Sequence, residues 1–177
     1  MKLAPAFKRR CEAIAVDWRY RIGLKAFDPL TAERLLFELK GSAITPEQLV
    51  NIPQETIDHL INHDDWSAGI IHRDPLLILY HSRHTPARQQ ANIMHEIAHI
   101  LLDHPFIHFD PDTGLPIRET RCEDEAIYLG GCLQIPKLGL LWAYQQAFTL
   151  DQVARYFGAS QQMVRFRANM TGVLLDE

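Results

Sequence analysis

A chain of 177 residues, 47% hydrophobic and 23% charged, can bury one substantial core, and its length favours a single domain over residues 1–177. A formal net charge of -4 supplies no broad basic field, so neither nucleic acid as main partner nor direct DNA binding is expected. Three cysteines without a CxxC pair exclude a secreted disulfide framework, and no apolar run forms a signal-peptide core or reaches membrane-spanning length, so a cytoplasmic protein with no membrane partner is expected.

The first periodic segment covers residues 7–24, where Cys11, Ile14, Ala15, Trp18 and Ile22 recur three or four apart and Gly23 closes an amphipathic helix. Asp28-Pro29-Leu30-Thr31 offers a turn and an N-cap for a shorter helix over residues 32–39, ended by Gly41, and Pro46 opens another helical turn. Ser67-Ala68-Gly69-Ile70-Ile71-His72 and Leu76-Leu77-Ile78-Leu79-Tyr80 are short apolar runs parted by Arg73-Asp74-Pro75, which predicts two antiparallel strands and a tight turn. Thr85-Pro86 places a cap and a helix-start proline ahead of the longest helix, residues 87–103, which Pro105 ends. A loop over residues 105–116 leads to a helix over residues 119–133 stopped by Pro136, and residues 138–175 predict two or three short helices. The fold class is α+β: a mostly helical single domain with a small antiparallel sheet preceding the longest helix.

His95-Glu96-Ile97-Ala98-His99, an HExxH sequence, lies inside that helix. Residues four apart stack on one face, so both imidazoles can reach one zinc ion while Glu96 stands beside it as general base. Zinc lowers the pKa of its water toward about 7, and a nearby carboxylate can take the proton as a carbonyl is attacked. Nine histidines make chance the alternative. Ile93, Ile97, Ile100 and Leu101 form an apolar face, and neither Pro nor Gly occurs from 87 to 103, which favours a buried-face, metal-binding helix. The same donors would accept manganese, iron or cobalt.

A catalytic zinc needs a third protein ligand. The extended metzincin pattern requires Gly and His where Leu102 and Pro105 stand, which excludes that class. His104, five residues past His99, points roughly opposite it on an ideal helix and suits a helix end, where a donor meets free carbonyls. The acidic run Glu119-Thr120-Arg121-Cys122-Glu123-Asp124-Glu125-Ala126 holds the better candidates. Ala126 lies three after Glu123, and so small a residue on that face lets the two helices approach closely; Glu123 is favoured and Glu125 stands second. Whichever loses is expected to be a solvated acid.

Residues 150–167 have a helix-turn-helix pattern, with Ala154, Gly158 and Val164 at the small, turn and buried positions; core packing is the preferred reading over contacts from Arg155, Arg165 and Arg167 to phosphate. His72, His81 and His84 gather near the hairpin, where one can meet an oxyanion but a surface or hydrogen-bonded structural role is preferred. Tyr80 and Tyr128 are further donors, and Cys122 is not expected to ligate metal.

In several blocks the sequence resembles the ImmA/IrrE family of bacterial and phage metallopeptidases. Gly23-Leu24 and Asp28-Pro29-Leu30 match its early blocks, and Leu76 to Tyr80 with Arg88-Gln89 match the strand and the pair before the metal helix. His95 to His104 reads HEIAHILLDH, and Glu123-Asp124-Glu125-Ala126 through Gln134-Ile135-Pro136 keeps the length of the last block, which departs from the family at Ile127, Leu129 and Gly130. The resemblance implies that Glu123, first of the Glu-x-x-Ala unit, is the metal carboxylate, and that the substrate is a helix-turn-helix repressor in a stress or mobile-element response. The expected function is therefore a zinc endopeptidase with ligands His95, His99 and Glu123, base Glu96, and a protein substrate. The alternatives are a metal-containing, non-proteolytic regulatory protein, against which Glu96 argues, and a peptide deformylase, for which only Cys11 precedes the motif.

Overall fold

The computed structural model describes residues 3–105, 108–109, 116–117 and 119–174. Helix α1 (Pro5–Arg21) buries Cys11, Ala15 and Arg19, one stripe at four-residue spacing, and Gly23 follows with φ 76°. Helix α2 (Ala32–Glu38) starts where the Thr31 hydroxyl accepts from the Arg34 amide, as the sequence predicts. Strand β1 (Ser42–Ile44), a 3-10 turn (Pro46–Gln48) and helix α3 (Gln54–Asn62) follow.

The predicted hairpin is present as β2 (Ala68–Arg73) and β3 (Leu76–Tyr80), paired antiparallel with a bulge between Ile70 and His72. The sheet is nevertheless mixed, because β1 joins β3 in parallel, Ser42 opposite Leu77 and Ile44 opposite Leu79, giving the order β1-β3-β2. Sequence reading missed β1: three residues are too few for an alternation to register. Two further short strands, β4 (His108–Phe109) and β5 (Pro116–Ile117), pair antiparallel. Most of the loop expected over residues 105–116 lies outside the described residues.

Helix α4 (Pro86–Leu101) carries the HExxH sequence. Thr85 caps it by accepting from the Arg88 amide, and Pro86 occupies the first turn. Ile93, Met94, Ile97 and Ala98 are buried where α4 packs on the sheet, α2 and helix α5 (Thr120–Gln134). Gln90 ties α4 to the start of α2, since its amide nitrogen donates to the Leu30 carbonyl and its oxygen accepts from the Ala32 amide. Helices α4 and α5 approach closely at Gly130, where a Cβ would stand 3.2 Å from the His95 Cα and from the Met94 carbonyl. Gly131, the next residue, faces the other way, against Arg167 and Phe166.

Helices α6 (Lys137–Gln145), α7 (Leu150–Phe157) and α8 (Gln161–Thr171) complete the chain around a second apolar cluster that includes Ile135, Leu140, Val153, Phe157 and Val164. The α7–α8 turn is as read: Thr149 and Gln152 form a capping box, Gly158 has φ 60°, and Ser160 caps α8. Arg167 is fully buried with its guanidinium on Glu12 and the Ile135 carbonyl, so it is no phosphate contact; Arg155 pairs with Asp151. Among the described residues, no single helix is long and apolar enough to cross a membrane.

Candidate metal centre

On α4 the imidazoles of His95 and His99 turn to one side, their Nε2 atoms 3.1 Å apart and their ring planes at 80°. Helix α5 brings Glu123 to the same point, with Oε2 3.3 Å from His95 Nε2 and Oε1 3.7 Å from His99 Nε2. All three side chains are largely shielded yet reachable, with 14 to 23% of each exposed. Zinc bonds to nitrogen and oxygen of about 2.0–2.1 Å imply ligand-to-ligand separations of about 3.3 Å in a tetrahedron, and the three measured separations bracket that length. The nearly perpendicular rings let two in-plane lone pairs meet. The donor set thus fits a metal ion. Glu96 is half-buried on the adjoining face of α4.

Glu125, the second candidate for third ligand, turns away from this point. Its Oε1 accepts from Arg121 Nε at 2.8 Å, and its Oε2 lies 3.3 Å from His104 Nε2. Burial works to raise its pKa, but the hydrogen bonds from Arg121 and His104 outweigh it and hold the carboxyl below its ordinary range. Neither the expected solvated acid nor a ligand describes it.

His104 also departs from the sequence expectation. An ideal helix would carry its ring away from His99, but α4 stops at Leu101 and Asp103 takes the left-handed conformation, φ 54°. The chain folds back so that the His104 amide donates to the His99 carbonyl at 3.0 Å, and the His104 ring comes to rest with Nδ1 3.0 Å from His99 Nδ1. Arg73, at the end of β2, donates to the His104 carbonyl. Nothing in residue spacing announces a left-handed aspartate, so neither His104 nor Arg73 was recognisable as part of the site.

A second group, Asp64, His81 and His84, also gathers metal-ligating atoms, with the two Nε2 atoms 3.6 and 3.8 Å from Asp64 Oδ1. Its geometry is unlike the first. The His81 and His84 rings are stacked, 4.4 Å apart and only 15° from parallel, so their in-plane lone pairs run side by side instead of converging. The Arg83 amide moreover donates to His81 Nδ1, which leaves the proton of the neutral ring on Nε2, the atom a metal would need bare. Both imidazoles are buried, not on the surface, and their Nε2 atoms stand beyond hydrogen-bond distance of the exposed Asp64 carboxylate. His72 bonds the Pro75 carbonyl at 2.9 Å within the hairpin, and Tyr128 is core, packed near Phe7 and beneath the Arg167 guanidinium.

Two imidazoles from an HExxH helix and a carboxylate from the next helix define a candidate centre of the metallopeptidase type. The chain belongs to the peptidase family described as the IrrE N-terminal-like domain, whose profile matches residues 51–169, from just before α3 into α8. Among solved structures, one described as a Mycobacterium tuberculosis transcriptional regulator is similar in fold, with a TM-score of 0.57 and 16% identity over 91% of this chain and 46% of that one. The chain therefore spans about half the length of that protein. No curated protein matches the sequence.

Proposed function

We propose that the protein is a zinc-dependent endopeptidase in which His95, His99 and Glu123 hold the metal and Glu96 is the general base. One observation carries the reading: two imidazole nitrogens and a carboxylate from separate helices meet at separations suited to a tetrahedral ion. Bound zinc supplies Lewis acidity, lowering the pKa of water and polarising a scissile carbonyl. Glu96, beside His95 on the helix, takes the proton of the attacking water and passes it to the leaving amine. Glu123 adds a negative charge to the two imidazole donors, and the half-buried setting limits its screening by solvent. Among the described residues β2 is an edge of the sheet, and an extended peptide pairing along that edge is the proposed mode of substrate binding.

The proposed substrate is a helix-turn-helix transcriptional repressor, cleaved in the cytoplasm as part of a stress or mobile-element response. Membership of an IrrE-like peptidase family supports this, as does the description of the fold neighbour as a transcriptional regulator. That same description favours a second reading, a metal-containing regulator that binds its partner without cutting it.

Elemental analysis of the purified protein after zinc loading tests the centre. About one zinc per chain is expected in wild type and in Glu96→Gln, and a large loss in His99→Ala and Glu123→Ala. A wild type that stays metal-free removes the reading. Incubation with helix-turn-helix repressors then separates the two functions: cleavage by wild type but not by zinc-loaded Glu96→Gln supports the peptidase, and binding without cleavage supports the regulator.

A further inference from the structure

We propose that His104 is a positioning residue that, with Glu125 behind it, fixes the tautomer of His99 so that Nε2 is bare and aimed at the metal point. The inference deepens the function proposed above and rests on it for its purpose, though not for its geometry.

The protons can be placed from the outside inwards. Arg121 Nε donates to one oxygen of Glu125 at 2.8 Å, and the other oxygen lies 3.3 Å from His104 Nε2. An ionised carboxylate only accepts, so the proton of this contact belongs to His104 Nε2. With that proton on Nε2, the His104 lone pair falls on Nδ1, which sits 3.0 Å from His99 Nδ1 and is placed to accept from it. That pair is a hydrogen bond only when His99 carries its proton on Nδ1, which leaves the lone pair on Nε2, 3.1 Å from His95 Nε2. Freed of the chain, His99 can place its proton on Nε2, the atom a metal requires bare.

The backbone is arranged to hold the ring there. Asp103 adopts φ 54°, the His104 amide donates to the His99 carbonyl, and Arg73 from β2 clasps the His104 carbonyl from outside the helix. His104 is only 6% exposed. A residue that served merely to finish the helix would direct its ring to free carbonyls. Both ring nitrogens of His104 instead face side chains, one of them a proposed ligand.

The test uses the full-length protein in two states. In the metal-free wild type, long-range proton–nitrogen NMR of the His99 ring, assigned against His99→Ala, is expected to show a protonated Nδ1 and a bare Nε2. In His104→Leu the proton is expected to move to Nε2. Zinc affinity by chelator competition is expected to fall about 10- to 100-fold in His104→Leu and to recover partly in His104→Gln, whose amide oxygen can accept from His99 Nδ1. A wild-type His99 protonated on Nε2, or an affinity indifferent to His104 in a variant whose circular dichroism is unchanged, overturns the proposal. The two readings fail separately. Wild type that holds no zinc but shows His99 protonated on Nδ1 removes the metal centre and upholds the relay; zinc-loaded wild type with the opposite tautomer does the reverse.

Discussion

Arg19 and Arg167 have no exposed surface, and both spend their guanidinium groups on the C-terminal end of α5. Arg19 donates to the carbonyls of Leu133 and Gln134 as well as those of Ala15 and Asp28; Arg167 donates to Ile135 and pairs with Glu12. These carbonyls have no helical partner, because the helix ends before Pro136, and a cation at that end also suits the helix dipole. Burial costs Arg19 part of its basicity, drawing it down to about 10 against the pull of Asp28. Among the described residues Glu12 is the one carboxylate that pairs with Arg167, so Glu12→Ala leaves a buried cation without its countercharge. We expect a loss of about 3–5 kcal/mol in denaturant unfolding; a loss under about 1 kcal/mol would mean that Arg167 escapes to solvent.

At the scale of elements, the site is a contact between two helices, and its spacing is set by Gly130. A methyl group there meets backbone on α4 at 3.2 Å, and backbone cannot swing aside as a side-chain tip can. Gly130→Ala is expected to cost about 1–3 kcal/mol and to weaken zinc binding by displacing Glu123 from the histidines; unchanged affinity would show that α5 slides without rotating. The residues that sequence made legible were those whose roles repeat along a helix. The four-residue spacing of His95 and His99, the Thr85-Pro86 start, and the choice of Glu123 over Glu125 as the acid facing α4 all follow from helical periodicity. The small residue credited with close approach, Ala126, is buried, and a second close approach lies one turn further on at Gly130, within the stretch that departs from the ImmA/IrrE pattern. What periodicity could not reveal lies where it stops: β1, joined to β3 from 35 residues away, and the left-handed turn at Asp103 that returns His104 to the site.

For the molecule as a whole, the buried thiols set a limit on the alkaline side. Burial, aided by the charge of Glu12, pushes Cys11 up from 9.0 to about 12, and Cys132 beside it is raised as well. The folded protein thus holds the Cys11 proton more tightly than the unfolded chain does. The resulting stability is complete below about pH 9 and is lost as pH climbs toward 12. Urea midpoints across that window should fall more steeply for wild type than for Cys11→Ala; parallel curves would assign the loss to other groups.

The grip of Arg19 and Arg167 on one end of α5 also constrains what evolution can do to the other. With the carbonyls of residues 133–135 pinned, Glu123 hangs from a fixed point along a rigid rod. Inserting or deleting one residue between them would turn the carboxylate by roughly 100° about the helix axis and carry it away from the histidines. Substitutions in this stretch can be absorbed, but a change of its length cannot, and homologous chains should align from Glu123 to Pro136 without a gap.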